Sequence, residues 1–291
     1  MDESTALSMI ADRLDFAGDD AAVVGDLVIT TDMLHERTDF PEGVTRYTAG
    51  WRSVGASLSD IAAMGAEAVA AVAVYAAPRF DDRELAAFLD GAVDVCNRVD
   101  ASYVGGDLDT HEEFTVASTA VGRTDSPVYR SGAKPGDHIY VTGTLGRTAA
   151  ALQAFESGTV ERGNDLFQFD PRVDAGRTLA PVATAMMDSS DGVARSLHQL
   201  TAASEVGASI RWADIPVAAS VRELAPDADT RREWALHFGE DFELVVTAPP
   251  GAIDTVRPRL DVPVQEIGEI TENGVRMDGE SLPDTGYGHG E

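Results

Sequence analysis

The sequence predicts an α/β (α+β) chain built as two successive units, and three observations carry that prediction. Short apolar runs alternate with helical periodicities through the first half, as strands and helices layered on one another require. A polar stretch with Pro and Gly and no apolar periodicity, Arg130-Ser-Gly-Ala-Lys-Pro-Gly-Asp137, then interrupts the pattern as a linker. Beyond it the alternation restarts with the strand candidate Ile139-Tyr-Val141. At 291 residues the chain is long enough for two cores, which we divide as residues 1–130 and 131–291.

The elements follow in order. Residues through Leu14 read as a short helix. Gly18-Asp19-Asp20 turns into a strand, Gly25-Asp26 makes a hairpin turn, and Leu27-Val-Ile-Thr-Thr31 returns alongside, bringing Asp20 close to Thr30, Thr31 and Asp32. Met33 to Thr48 has no periodicity and reads as a loop able to cover a ligand, with His35, Arg37 and Asp39 exposed. A helix from about Gly50 to Met64 sets Val54, Leu58 and Ile61 on one side and Ser53, Ser57 and Asp60 on the other. Val69 to Tyr75 is a strand. Asp81-Asp-Arg-Glu84 resembles a capping box opening a helix that buries Leu85, Phe88, Leu89, Ala92, Val93, Cys96 and Val99. Tyr103-Val104 runs as a short strand into Gly105-Gly106-Asp107, and Phe114 to Val121 is another strand.

In the second unit Gly143-Thr-Leu-Gly146 opens an Ala- and Leu-rich helix. Such a turn can hold phosphate at the helix N-terminus, though it is more often only a tight turn. Residues 158–174 read as a loop and short helix. A strand then runs into Asp188, and Ser190-Asp191-Gly192 opens a helix with Val193, Leu197 and Leu200 at helical spacing. Gly239-Glu240-Asp241-Phe242-Glu243 leads into the strand Leu244-Val-Val-Thr247, and a strand-and-turn region spans Val264 to Met277.

Acids beside Gly, Ser or Thr recur at these element ends: Gly18-Asp19-Asp20, Thr30-Thr31-Asp32, Ser57-Leu-Ser59-Asp60, Gly105-Gly106-Asp107 and Asp188-Ser-Ser190-Asp191. One such turn alone is best read as a helix N-cap, Ser190 or Asp191 serving as the capping residue. The repetition asks for a common cause, and carboxylates converging with hydroxyls suit Mg²⁺, a hard ion that also takes waters and substrate phosphates. Such ions bridging to a nucleotide triphosphate would resolve the repulsion among the acids and position a phosphoryl group for in-line transfer. No G-x-x-x-x-G-K-[ST] loop, H-R-D, D-F-G, G-x-S-x-G or plausible Cys–His pair is present, which excludes P-loop, protein-kinase and common hydrolase chemistry.

The formal charge is −28 at pH 7, and Lys134 is the only lysine. The acids are spread along the chain, as on a surface suited to high salt, where screening suppresses self-repulsion. The same charge argues against nucleic acid and anionic membrane as partners. The single cysteine, Cys96, excludes an internal disulfide and a thiolate metal cluster, and sits on an apolar helix face. No signal-peptide pattern opens the sequence, and the apolar run Ala68 to Ala77 is too short to span a bilayer, so a cytoplasmic protein is expected.

Taken in order, GDDAAVV, TTDML, SLSDIAAMGA, VGGD, YRSGAKPGDHIYVTGTLG, MDSSDG and GEDFELVVT closely resemble the thiamine-monophosphate kinases, of the aminoimidazole-ribonucleotide-synthetase-like superfamily. The resemblance runs from Gly18 to about Tyr287. It implies a two-domain fold of that superfamily with an α/β domain in each half, and a homodimer whose N-terminal sheets pair. It implies ATP-dependent phosphorylation of thiamine monophosphate to thiamine diphosphate. By the same resemblance Asp20, Thr30, Thr31, Asp32, Asp60, Asp107, Asp188 and Asp191 are Mg²⁺ ligands, with Asp191, Asp60 and Asp32 at the reacting phosphates. Gly106, Asp107, Arg130 and Ser190 match nucleotide-contacting positions, and Arg130 is a sensible clamp for phosphate charge. Asp39, Glu240 and Tyr287 match positions that hold thiamine monophosphate. K⁺ stands as a candidate additional cofactor. The attacking group is the substrate's own phosphate, already anionic near neutral pH, so no covalent nucleophile and no strong general base are needed.

Three positions depart from the pattern. Asp39 stands where bacterial members usually carry His, Ser57 where Asn is common, and Leu108 where Thr usually follows GGD. The loop His35 to Pro41 resembles the archaeal version of the family and, with the charge, points to a halophilic archaeon. Two alternatives remain: another ATP-dependent enzyme of the superfamily, and a non-catalytic protein that binds divalent cations.

Overall fold

The computed structural model describes residues 18–286 together with residues 9, 13 and 14. The helix expected up to Leu14 lies largely outside the described residues, as does Tyr287.

The predicted hairpin forms: β1 (Ala22–Val24) pairs antiparallel with β2 (Leu27–His35) across the Gly25-Asp26 turn. β2 runs four residues further than its apolar run suggested, because it pairs with a later strand as far as His35. The expected irregular loop is therefore shorter and contains a single helical turn, α1 (Glu36–Asp39). Helix α2 (Arg46–Ala63) begins at Thr45, whose hydroxyl accepts from the Thr48 N–H. β3 (Glu67–Ala77) follows, then α3 (Asp82–Arg98), capped by Asp81, whose carboxylate accepts from the N–H groups of Arg83 and Glu84. β4 (Ser102–Thr110) passes straight through Gly105-Gly106-Asp107, so these residues lie within a strand rather than at its end. β5 (Thr115–Arg123) completes a five-stranded sheet in the order β1-β2-β5-β3-β4, antiparallel except for the β3–β4 pair.

No strand or helix occupies residues 124–137. The second sheet then starts with β6 (His138–Thr142). Helices α4 (Arg147–Glu156), α5 (Val160–Phe167) and α6 (Val173–Leu179) lead to β7 (Ala185–Asp188) and α7 (Val193–Ser204). Next come β8 (Gly207–Ile210), α8 (Ala219–Leu224), α9 (Ala228–Leu236), β9 (Leu244–Ala248) and α10 (Ala252–Val256). The chain closes with β10 (Val264–Thr271), β11 (Val275–Met277) and β12 (Glu280–Ser281). This sheet runs β12-β11-β8-β10-β6-β9-β7.

The two sheets are not isolated bodies. One apolar cluster joins Leu58, Ile61, Phe88 and Phe114 from the first half to Met186, Leu244 and Val246 from the second. Helix α2 lies at this junction, and that explains its polar face. Ser53, Ser57 and Ser59 are at most 1% exposed, because the side opposite the Val54–Leu58–Ile61 stripe is covered too. A helix buried all round carries hydroxyls only where partners await them.

Candidate active site

Three carboxylates from distant parts of the chain meet between the sheets. Asp20 comes from the turn before β1, Asp60 from the last turn of α2, and Asp188 from the final residue of β7. Ligand oxygens of all three lie within 4.8 Å of one another. Hydroxyls surround them: Thr30 Oγ1 donates to Asp60 at 2.5 Å and Ser59 Oγ to Asp188 at 2.7 Å. Asp32 sits beside them, accepting from Ser57 Oγ at 2.8 Å. Thr30 and Asp32 share the inward face of β2. Thr31, between them, points to the other face, where its hydroxyl donates to the Ser118 carbonyl.

The cluster is electrostatically unsettled. Burial pushes the Asp20 carboxyl up to about 7, against the pull of Arg130 and helped by Asp188 and Asp19. Burial also holds Asp60 well above the carboxylate range, with repulsion from Asp32, Asp188 and Asp20 adding to it. Asp20 Oδ2 is buried without a hydrogen-bond partner. An orphaned carboxylate oxygen among crowded acids and hydroxyls is a donor set that fits a hard divalent cation.

Arg130 reaches this cluster from the linker. Its Nη2 lies 3.2 Å from Asp20 Oδ1, and its backbone N–H donates to Asp19 at 3.0 Å. Asp19 takes no part in the cluster itself; it anchors the arginine. Asp107 and Asp191 stand outside the Asp20–Asp60–Asp188 group. Asp191 accepts from Gln199 Nε2 at 3.2 Å, and Asp107 caps the next residue's N–H on β4. The Ser190 N–H donates to Asp188 Oδ1 at 3.1 Å and the Ser190 carbonyl accepts from the Glu240 N–H at 2.7 Å.

Beside Gly105, Gly106 and Asp107 a cavity of about 370 Å³ opens, walled by Tyr75, Leu85, Phe88, Leu89 and Tyr103. Gly106 is required by packing, since a Cβ there would stand 1.7 Å from the Ala73 carbonyl oxygen of the neighbouring strand. The Tyr75 hydroxyl is buried with no hydrogen-bond partner. An apolar, aromatic cavity bordered by a bare backbone suits a flat ring. From the sequence Leu85, Phe88, Leu89 and Val93 read as one buried helix face, but Leu89 and Val93 are exposed, and the helical spacing gives no sign of the cavity.

A smaller cavity of about 130 Å³ is lined by Arg37, Asp39, Phe40, Phe167, Phe238 and Glu240. Asp39 is turned partly back on its own loop, accepting from the His35 N–H at 2.6 Å and from Thr38 Oγ1 at 2.9 Å.

Two sequence expectations about helix ends change. Neither Ser190 nor Asp191 caps α7: the capping position falls on Gly192, and no side chain caps it. The Gly143–Gly146 turn is not free for phosphate. The Asp241 carboxylate occupies that helix N-terminus, accepting from the N–H groups of Gly146 and Thr148. Gly239 lets this second loop reach the first, since a Cβ at its φ of +79° would stand 2.4 Å from the Ser190 carbonyl oxygen.

This two-sheet architecture is that of a known class. The family described as AIR synthase related protein, N-terminal domain, matches residues 18–124, and its C-terminal counterpart matches residues 134–278. A thiamine-monophosphate kinase of Halobacterium salinarum is 57% identical over 291 residues, covering 99% of this chain and 100% of that one. One from Methanospirillum hungatei is 43% identical, covering 94% of each. The solved structure described as AaThiL complexed with AMPPCP and TMP superposes with a TM-score of 0.90 at 27% identity, covering 99% of this chain and 97% of that one. The chain belongs to the thiamine-monophosphate kinase family.

Proposed function

We propose that this protein transfers the γ-phosphoryl group of ATP to thiamine monophosphate, giving thiamine diphosphate. The observation that carries the reading is the buried Asp20–Asp60–Asp188 cluster with its orphaned oxygen, in a chain whose relatives bear that name. A related structure, described as a complex with AMPPCP and TMP, supports ATP and thiamine monophosphate as the substrate pair.

Asp20, Asp60 and Asp188, with Asp32 and the Thr30 hydroxyl beside them, would hold Mg²⁺; Asp107 and Asp191, outside that group, are assigned as further ligands by the family pattern alone. Thr31 would contribute at most through its backbone. When bound, such ions neutralise the charge that develops on the transferring phosphate. The residues' own work is positioning. Arg130, steered by Asp19 and Asp20, presents a guanidinium toward the phosphates. Gly106 and the aromatic cavity receive the adenine ring, and Ser190 sits where the Asp188 turn meets the second loop. Asp39 and Glu240 wall the thiamine end, and Tyr287 is assigned there by the family pattern. A phosphate nucleophile that is already anionic needs no proton removed, so the site requires alignment rather than a base.

We further propose a homodimer through the outer face of the first sheet, where Ile29 and Met33 on β2, Val69 and Val74 on β3 and Val104 on β4 are exposed. Among the described residues no helix is long and apolar enough to cross a membrane.

The test is product formation from purified protein in molar KCl with ATP, thiamine monophosphate and Mg²⁺, followed by chromatography. The reading expects thiamine diphosphate that disappears on chelation. Folded protein that binds Mg·ATP yet makes no product would redirect the search to other substrates of the superfamily.

A further inference from the structure

Arg52 is the one large charged side chain among the most deeply buried residues described, only 1% exposed in the middle of α2. Burying a guanidinium is expensive unless every donor is answered, so its partners reveal its purpose. Nη1 donates to the Phe167 carbonyl at 2.7 Å, while Nη2 donates to the Glu240 carbonyl at 3.0 Å and to Glu240 Oε2 at 2.7 Å. The guanidinium also lies 3.8 Å from the centre of the Phe167 ring, with Phe169 and Phe242 at 5.5 and 5.4 Å. All these partners come from the second half of the chain, and the contact to Glu240 spans 188 residues of sequence.

Glu240 needs such a hold. Its backbone sits at a φ of +61°, a conformation disfavoured for a side-chain-bearing residue, and Phe242 is similar at +54°. The N–H of Glu240 is taken by the Ser190 carbonyl, and its carbonyl is shared by Arg52 and by Thr148 Oγ1. Arg52 is the residue that grips both the main chain and the carboxylate. It does so from the same helix that, two turns later, presents Ser57, Ser59 and Asp60 to the metal-binding carboxylates.

We propose that Arg52 is a positioning residue that fixes the Glu240 carboxylate at the wall of the Asp39–Phe238 cavity and registers that cavity against the Asp20–Asp60–Asp188 cluster through α2. The proposal rests on the kinase reading, with that cavity holding the thiamine end. It follows that Arg52 acts on thiamine monophosphate through Glu240, and on nucleotide hardly at all. Its guanidinium fork matters as much as its charge, because an ammonium cannot answer two carbonyls and a carboxylate in one plane.

The experiment is a double-mutant cycle on steady-state kinetics with Arg52→Lys, Glu240→Gln and the pair, each with ATP and thiamine monophosphate varied separately. We expect each single variant to raise the KM for thiamine monophosphate about tenfold or more, and the KM for ATP less than about twofold. The pair should be little worse than either single variant, because the second change removes an interaction already lost. Multiplicative effects, or a KM for ATP that rises as much as that for thiamine monophosphate, would overturn the proposal and leave Arg52 a structural strut. Should Arg52→Lys not fold, Glu240→Gln alone still decides: an unchanged KM for thiamine monophosphate refutes the role. Wild-type protein is run in the same series. Absence of wild-type product would count against the kinase reading, whereas wild-type product with an unselective variant counts against Arg52 alone.

Discussion

Two groups of buried acids among the described residues are provisioned in opposite ways. Glu243 is answered fully: Arg172 donates to it through Nε at 2.7 Å and Nη2 at 2.5 Å, and Thr142 Oγ1 donates at 2.6 Å. Its neighbour Asp241 takes two backbone N–H groups at the start of α4, and burial still raises it to about 6. Asp60 receives the Thr30 hydroxyl, Asp188 the Ser59 hydroxyl and the Ser190 N–H, and Asp20 the Arg130 guanidinium, yet repelling carboxylates crowd them and Asp20 is raised to about 7 with an oxygen left over. A settled acid belongs to the scaffold, where its loss leaves a hole in the bonding. An unsettled acid marks a place where folding has been made to tolerate repulsion that a bound cation would relieve.

The sharpest way to break this contrast is Asp60→Asn. Turnover should fall by about 10³-fold or more, since a ligand to the phosphate-neutralising ion is gone. The metal-free protein at pH 8 should melt at the same temperature or higher, because the change removes a carboxyl whose ionisation burial and the neighbouring Asp32, Asp188 and Asp20 all oppose. A clear drop in metal-free stability would make Asp60 a scaffold residue.

Glu243→Gln probes the other side. It strips Arg172 of its carboxylate in a buried setting and should cost about 3 kcal/mol in chemical denaturation. An effect near zero would show that this pair is no more structural than the cluster.

Mg²⁺ should then distinguish the groups by linkage. Asp20 has a folded-state value near 7, above the unfolded 3.8, so its contribution to metal-free stability is fully present below 3.8 and fades as pH rises through about 7. The ion binds the deprotonated form, so the stabilisation on adding Mg²⁺ should grow between pH 6 and 8, reaching ~2.7 kcal/mol at a hundredfold excess over Kd. A gain independent of pH, or one retained by Asp60→Asn, would place the ion elsewhere.

The smallest expected effect is Asp39→Ala. Its carboxylate holds the His35 N–H and the Thr38 hydroxyl, so the change should loosen the loop by ~1 kcal/mol and raise the KM for thiamine monophosphate about fivefold. No change would remove this loop from the substrate site.

What the sequence disclosed follows from the range of the interactions. The hairpin, α3 with its Asp81 cap, and the strand into Asp188 rest on neighbours a few residues apart, and each lies where periodicity and turn chemistry predicted. The acids were legible because Gly, Ser and Thr beside them recur at element ends. Their sorting was not: alternation along β2 separates Thr31 from Thr30 and Asp32, and nothing local says which face meets the second sheet. The Gly143–Gly146 turn was ambiguous for the same reason, because the carboxylate that closes it lies 95 residues away. Nothing local to Arg52 marks it as buried, and only the folded chain brings Phe167 and Glu240 to it. The extended β2 and β4 were set by their partner strands rather than by their own residues.

The most direct measurement compares metal-free melting temperatures of Asp60→Asn and Glu243→Gln with that of the wild type, side by side in the same high-salt buffer at pH 8. The account predicts opposite signs: no loss or a gain for Asp60→Asn, and a fall of several degrees for Glu243→Gln. Equal losses in both variants would contradict it, because the two groups of acids would then be doing the same structural job.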